Sequence, residues 1–262
     1  MANMFQEIQE FRRRLDAGEK LIGMGLTLSD ALVSEALGPS VDFIWFDLEH
    51  NAINYHDMRN QLIGARAAQT PVVVRTPGSD EPTLKRLLDA GVMGLVIPQI
   101  RSADEVRHVV NCCRYTPVGH RGWGASRSAN YGRMPGLEHL ETANKSIFVS
   151  VQIETAEAYA ALDEILSIEG FDSVVIGPND LTCSHGKPGH PQSPENMERI
   201  QNIASKARAR GKHVGIGMGI EVDFALQAFE LGCNWVQAGQ DFSYLIKGAE
   251  EVLGEIREKM SS

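Results

Sequence analysis

The sequence predicts an α/β protein of the (β/α)8 TIM-barrel class, with eight parallel strands and an extra helix ahead of the first. Three observations predict it. Short apolar runs rich in β-branched residues alternate with longer amphipathic stretches from end to end, the pattern of parallel strands covered by helices. The length of 262 residues is usual for such a barrel and ample for a large core. Charged and amide residues follow directly on the apolar runs, at the strand ends where barrels carry their chemistry.

The elements follow in order. The mixed-charge opening MANMFQEIQEFRRRLDAGEK reads as a helix over 4–17. Strands are expected at 21–26, 41–47, 71–75, 94–98, 147–153, 173–177, 213–218 and 234–238, where LIGMGL, FIWFD, VVVR and their counterparts lie. Helices are expected at 29–37, 55–68, 82–90, 103–113, 156–166, 194–210, 221–231 and 242–259. Gly91, Gly211 and Gly232 each follow a helical pattern, where a left-handed C-terminal cap is least costly for glycine. No Pro, Gly and Ser-rich linker divides the chain, so one domain over 1–262 is expected. The long excursion is 115–144, with GHRGWGASRSANYGRMPG at its centre, and loops of that length in compact domains tend to serve function.

Composition excludes several classes. With 25 Lys plus Arg against 34 Asp plus Glu, the net charge of −9 argues against a nucleic-acid partner, whose phosphates need clustered cations. No apolar stretch is long enough to cross a membrane. The N-terminus lacks an apolar signal region, and a cytoplasmic protein is expected. Cys112, Cys113, Cys183 and Cys233 show neither metal spacing nor a disulfide framework and read as buried bystanders.

The strand ends carry the candidate chemistry. The second strand ends in DLEH (Asp47, Glu49, His50), the third in Arg75, the fourth in Pro98-Gln99, the fifth in QIET (Gln152, Glu154), the sixth in GPND (Asn179, Asp180) and the eighth in GQD (Gln240, Asp241). Glu154 and Asp180 end successive strands, so their carboxylates can meet over the mouth and hold Mg²⁺ or Mn²⁺ by hard oxygen ligands. The alternative makes them helix caps or surface acids. Asp47 stands three residues before His50 and can orient its imidazole for acid/base work, unless that histidine is incidental. Arg75 can stabilise an oxyanion with its fork of donors, or serve only as an ion-pair partner for the rim acids. In GPND, Pro178 supplies rigidity, and the backbone N–H groups of Asn179 and Asp180 can receive a substrate carboxylate or merely form a turn. No lysine ends a strand; Lys187 in the loop after GPND is the one arguable candidate, so a metal electron sink is favoured over a Schiff base.

Taken together, FDLEH, VVVRTPG, RLLDAGVMGLVIPQI, GHRGWG, VQIET, IGPNDL and GKPGHPQSPE resemble the HpcH/HpaI aldolase family, in order and over about residues 20–254. That resemblance implies a class II pyruvate aldolase on a (β/α)8 barrel, dependent on a divalent metal (Mg, Mn or Co). It implies a homo-oligomer, a hexamer or trimer of dimers, with the last helix exchanged between subunits. It further implies that Glu154 and Asp180 bind the metal, that Gln152 contacts metal or pyruvate, and that the Gly177, Pro178, Asn179 and Asp180 backbone holds the pyruvate carboxylate. His50 with Asp47 would form the acid/base dyad, Arg75 would steady the enolate oxygen, and Asp89 would reach an adjacent subunit's site. Leu48 and Asn179, both beside the site, and RGWGASRSANYG, the stretch that bears on the aldehyde pocket, depart from the family pattern.

The expected reaction is reversible retro-aldol cleavage of a 4-hydroxy-2-oxoacid to pyruvate and an aldehyde, both small molecules. Two alternatives stand beside it. One is a barrel acting on a phosphorylated substrate, suggested by Gly215, Gly217, Gly219 and Gly239 near the last two strands. The other is a catalytically silent barrel acting as a binding module.

Overall fold

The β-branched runs do form a parallel sheet, and it closes. In a computed structural model, which describes residues 3–261, β1 (Leu21–Leu26), β2 (Phe43–Asp47), β3 (Val72–Arg75), β4 (Gly94–Ile97), β5 (Phe148–Ile153), β6 (Ser173–Ile176), β7 (His213–Met218) and β8 (Trp235–Gln240) pair in sequence order around a closed barrel. Closure is the β1–β8 pairing, Leu21 opposite Trp235 and Ile22 opposite Val236, with a register shift between Gly23 and Gly25. Because every strand is parallel and each carries a helix outside, both faces are buried, which is why the runs are continuously apolar.

The helices are α1 (Gln6–Asp16), α2 (Ala31–Leu37), α3 (Tyr55–Ala67), α4 (Glu81–Asp89), α5 (Ala103–Cys113), α6 (Gly136–Ser146), α7 (Ala156–Ala160), α8 (Leu162–Leu166), α9 (Pro178–Ser184), α10 (Pro194–Ala209), α11 (Val222–Glu230) and α12 (Asp241–Ser261). Side-chain caps start several of them: Asp30 accepts from Leu32 N, Asn54 from His56 N and Asp57 N, Asp80 from Thr83 N, and Ser102 from Glu105 N. Gly91, Gly211 and Gly232 have φ of +98°, +71° and +106°, the left-handed geometry expected after the helices they follow.

The extra first helix closes the barrel's lower end. Phe11, 1% exposed, meets Phe43 and Phe148 edge-on at 5.3 Å and Trp235 at 6.0 Å. Arg12 and Arg114 share Asp172 beside it, at 2.6 and 3.1 Å. With that end sealed by aromatic rings, open space remains at the strands' C-terminal ends.

Some expectations shift. The helix foreseen over 156–166 is two short helices broken at Ala161 (φ −89°, ψ 11°). The excursion over 115–144 is not all loop: it includes a 3-10 turn over 130–132, with Tyr131 at φ +55°, and most of α6. Only His139, Ala143 and Ser146 of α6 are buried, so an apolar stripe was absent from its sequence. A further short helix, α9, begins within GPND. Cys112, Cys113 and Cys233 are buried as expected, whereas Cys183 is exposed. No helix among the described residues is long and apolar enough to cross a membrane.

Candidate active site

Successive parallel strands carry the candidate residues to one mouth. Asp47 and Arg75 are the last residues of β2 and β3, and they are opposite each other in register. Gln152 lies in β5, Glu154 just beyond it, and Gly177 through Asp180 lead from β6 into α9. The mouth opens on a cavity of about 320 Å³ lined by Trp45, His50, Arg75, Gln152, the Val175–Asp180 segment, and residues of β7, β8 and early α12.

Glu154 is the most constrained group. It is 1% exposed and sits behind the wall formed by Gln152 and Gly177. One carboxylate oxygen accepts from Gln99 N at 2.8 Å and Gln99 Nε2 at 3.1 Å, and the other accepts from Gln152 Nε2. Gln99 reaches this position with φ +56°, a left-handed backbone that a non-glycine residue adopts only when its surroundings enforce it. Burial above all, with the nearby charges of Asp180 and Glu49, pushes the Glu154 carboxyl up to about 7 against the pull of the Gln99 N–H and Arg75. Gly177 is required by close approach rather than by backbone freedom, because a Cβ there would lie 2.5 Å from Glu154 Oε2 and 2.9 Å from Gln152 Nε2.

Asp180 is exposed to the mouth in the first turn of α9. Gly177 is the N-cap and Pro178 the first residue; the first intrahelical bond runs from Leu181 N to Gly177 O at 2.9 Å. The N–H groups of Asn179 and Asp180 therefore precede the helical ladder and point out of it.

The expected pairing of Asp47 with the His50 imidazole is not the one that forms. Asp47, 2% exposed, accepts two bonds from Arg75, at 2.9 Å from Nε and 2.7 Å from Nη2, and also bonds the backbone N–H groups of Glu49 and His50. Burial alone would raise its carboxyl; the Arg75 bonds outweigh that and hold it below the usual range. A buried guanidinium fork satisfies both carboxylate oxygens, which a single imidazole cannot do. The imidazole has Glu49 instead, Nε2 to Oε2 at 3.5 Å, and Glu49 also lies 3.3 Å from Arg75 Nε. Burial raises the Glu49 carboxyl. Arg75 is thus an ion-pair partner of two rim acids and a cavity-lining group at once, with Trp45 beneath its guanidinium at 5.7 Å.

Asp89 stays away from this mouth. It ends α4, close before the start of β4, and so lies towards the barrel's opposite face, paired with Arg121 Nη2 at 2.7 Å. No lysine lines the cavity, and Lys187 forms an exposed pair with Glu195 at 2.9 Å. Asp241 is a structural clamp, 1% exposed, accepting from Thr27 N, Thr27 Oγ1 and Leu28 N at 2.8, 2.5 and 2.9 Å. Two of the glycines that suggested phosphate serve packing: a Cβ on Gly215 would strike the Trp235 ring at 2.2 Å and one on Gly217 would press Gln237 Oε1 at 3.1 Å. Sequence reasoning missed Trp45 and Gln237 in the cavity wall. The signal available was a polar residue inside the otherwise apolar run WVQAG.

A closed parallel barrel with acids, an anchored guanidinium and a histidine gathered at its C-terminal mouth is a (β/α)8-barrel enzyme. Residues 26–247 match the HpcH/HpaI aldolase/citrate lyase family, and the chain belongs to it. It is similar to 4-hydroxy-2-oxo-heptane-1,7-dioate aldolase of Salmonella typhimurium, 39% identical over 243 residues that cover 92% of this chain and 91% of the relative. Among solved structures it resembles an HpcH/HpaI aldolase/citrate lyase family protein from Burkholderia cenocepacia J2315 (TM-score 0.89, 31% identity, 95% of this chain and 99% of that one). An HpcH/HpaI aldolase from Desulfitobacterium hafniense DCB-2 is comparable (TM-score 0.88, 28% identity, 94% and 96%). The chain is accordingly an enzyme of the aldolase type, a carbon–carbon lyase.

Proposed function

We propose that this chain catalyses the reversible cleavage of a 4-hydroxy-2-oxoacid into pyruvate and an aldehyde, with Glu154, Asp180 and Gln152 as the seat of a divalent cation. The observation that carries the reading is the burial of Glu154, a carboxylate 1% exposed just beyond β5, which feels the charges of Asp180 and Glu49 and is pushed up to about 7. Beside it, Gln152 Oε1 is buried without a hydrogen-bond partner, an orphaned oxygen that a cation would satisfy. Among the described residues no three His, Cys, Asp or Glu side chains gather as a metal cluster; the donor set proposed is the two carboxylates of Glu154 and Asp180 with the Gln152 amide oxygen. That suits Mg²⁺, Mn²⁺ or Co²⁺, the first of which commonly keeps waters and substrate in its remaining positions. When bound, the cation supplies a Lewis acid that stabilises negative charge developing on the 2-oxo oxygen.

The chain's own groups account for the rest. The first-turn N–H groups of Asn179 and Asp180 receive the pyruvate carboxylate, with Gly177 and Pro178 shaping the approach. His50, at the cavity edge, takes the 4-hydroxyl proton on a ring nitrogen, and Glu49 stabilises the resulting imidazolium. As the C3–C4 bond breaks, its electron pair becomes that of the pyruvate enolate and C4 leaves as the aldehyde carbonyl. Arg75, fixed in place by Asp47, presents positive charge to the enolate oxygen. Proton return to C3 gives pyruvate.

The expected assembly is a hexamer or trimer of dimers with α12 exchanged between copies and Asp89 delivered to a neighbour's mouth. Two features support the exchange: α12 buries only Asp241 of its 21 residues, and an apolar groove lined by Ile22, Met24, Leu37, Val41, Tyr244 and Leu245 runs alongside its start. The test of function is pyruvate release from 4-hydroxy-2-oxoacids. Activity should vanish on thorough chelation, return with Mg²⁺ or Mn²⁺, survive borohydride, and fall at least about 100-fold in His50→Ala with the fold intact. Chelation-resistant or borohydride-trapped activity would reject the reading.

A further inference from the structure

The wall of the cavity that continues round the barrel from Gly177, across from Arg75 at the end of β3, is built by β7, β8 and the start of α12 from Gly217, Met218, Gly219, Gln237, Gly239, Gln240 and Ser243. Gln237 stands out in it. It sits mid-strand in β8, 8% exposed, its neighbours Trp235 and Val236 fully buried. Room for it exists because β1 and β7 carry glycine on either side: a Cβ on Gly25 would lie 3.3 Å from its Nε2 and one on Gly217 would lie 3.1 Å from its Oε1. Burying an amide inside a barrel is costly unless both of its ends are satisfied. Its Nε2 is committed to the Gly239 carbonyl, which can only accept, and this fixes which end of the amide is which. Oε1 is left at the cavity as an acceptor, and an acceptor requires an O–H or N–H from whatever fills the space.

The charge of the wall narrows the occupant further. Gln240 and Ser243 add neutral hydrogen-bonding groups, and none of the wall residues is a cation. The cavity's guanidinium, Arg75, is held by Asp47 and Glu49 on the other side. The Salmonella relative is named for a substrate with a second carboxylate; a carboxylate set against this wall would meet the Gln237 oxygen with no positive partner.

We infer that Gln237 is a specificity-determining residue that accepts a hydrogen bond from a hydroxyl on the aldehyde half, so that the enzyme selects short, uncharged hydroxyaldehydes over carboxylated or plain aliphatic ones. This deepens the aldolase reading and rests on it. The experiment uses the full chain with Mn²⁺ and pyruvate and compares kcat/KM for lactaldehyde, propanal and succinic semialdehyde. Lactaldehyde should exceed propanal by about tenfold or more, the effect of one well-made hydrogen bond, with succinic semialdehyde lowest. Gln237→Leu should lower the lactaldehyde value by about tenfold more than the propanal value. Equal use of the three aldehydes by the wild-type enzyme, a preference for the semialdehyde, or an equal loss for all three in Gln237→Leu would overturn the inference. Exchange of pyruvate methyl protons with D2O in the absence of aldehyde separates the two levels. Exchange without aldehyde preference sinks the specificity claim alone, and absence of exchange sinks the aldolase reading beneath it.

Discussion

Glu154 shows how far a residue's chemistry depends on what surrounds it. Its place after the run VSVQI marked it as a rim acid, but the burial, the contact with Gln99 and the nearby charges of Asp180 and Glu49 belong to the folded barrel. A measurable consequence is a pH dependence of the metal-free protein. Burial pushes the folded carboxyl up to about 7 against 4.5 in the unfolded chain, so between those values the folded state holds more protons and stability falls as pH rises. The contribution is complete below pH 4.5 and lost through about pH 7, amounting to something on the order of 3 kcal/mol. Urea denaturation of chelated protein at pH 5 and pH 8 should therefore show wild type losing clearly more stability than Glu154→Gln. A divalent cation should restore wild type at the higher pH, since binding there does not have to displace a proton.

At the scale of elements, the barrel's last junction is held by one buried acid. Asp241 joins the start of α12 to the loop after β1 through Thr27 and Leu28, beside the β1–β8 pairing that closes the sheet. Asp241→Ala would leave those two N–H groups without their acceptor in a buried setting, and a loss of about 3 kcal/mol is expected by chemical denaturation, with Asp241→Asn losing less. In the sequence Asp241 is a strand-end acid, the position of a catalytic group, and nothing local distinguishes it from Asp180. What separates them is that its oxygens are consumed by the fold, while Asp180 remains exposed at the mouth.

At the scale of the whole molecule, α12 is the element without a home in its own chain. Phe242, Leu245, Ile246, Val252, Leu253, Ile256 and Met260 are all exposed on it, more apolar surface than an isolated chain normally leaves to water. If copies exchange this helix, light scattering should give a mass near six chains of 28.7 kDa for wild type, and Ile256→Asp should shift the species to a smaller assembly. A wild-type monomer at micromolar concentration would rule the exchange out.

The barrel was legible in the sequence because its strands and helices repeat one local unit eight times, and periodicity, caps and glycines are local signals. Bounds of β1, β7 and α5 agree residue for residue, whereas α6 and α9 escaped because neither carries an apolar stripe. The membership of the rim was legible too, since strand ends are positions along the chain. Which rim groups touch was not: Arg75 claims Asp47, His50 is left with Glu49, Asp241 turns to Thr27, and Gln237 is exposed to the cavity by glycines on two other strands. Sequence determined which chemistry could be assembled, because residue type and strand position suffice for that. The tertiary structure alone decided the partners, because hydrogen bonds and charge interactions depend on distances between segments far apart in the chain.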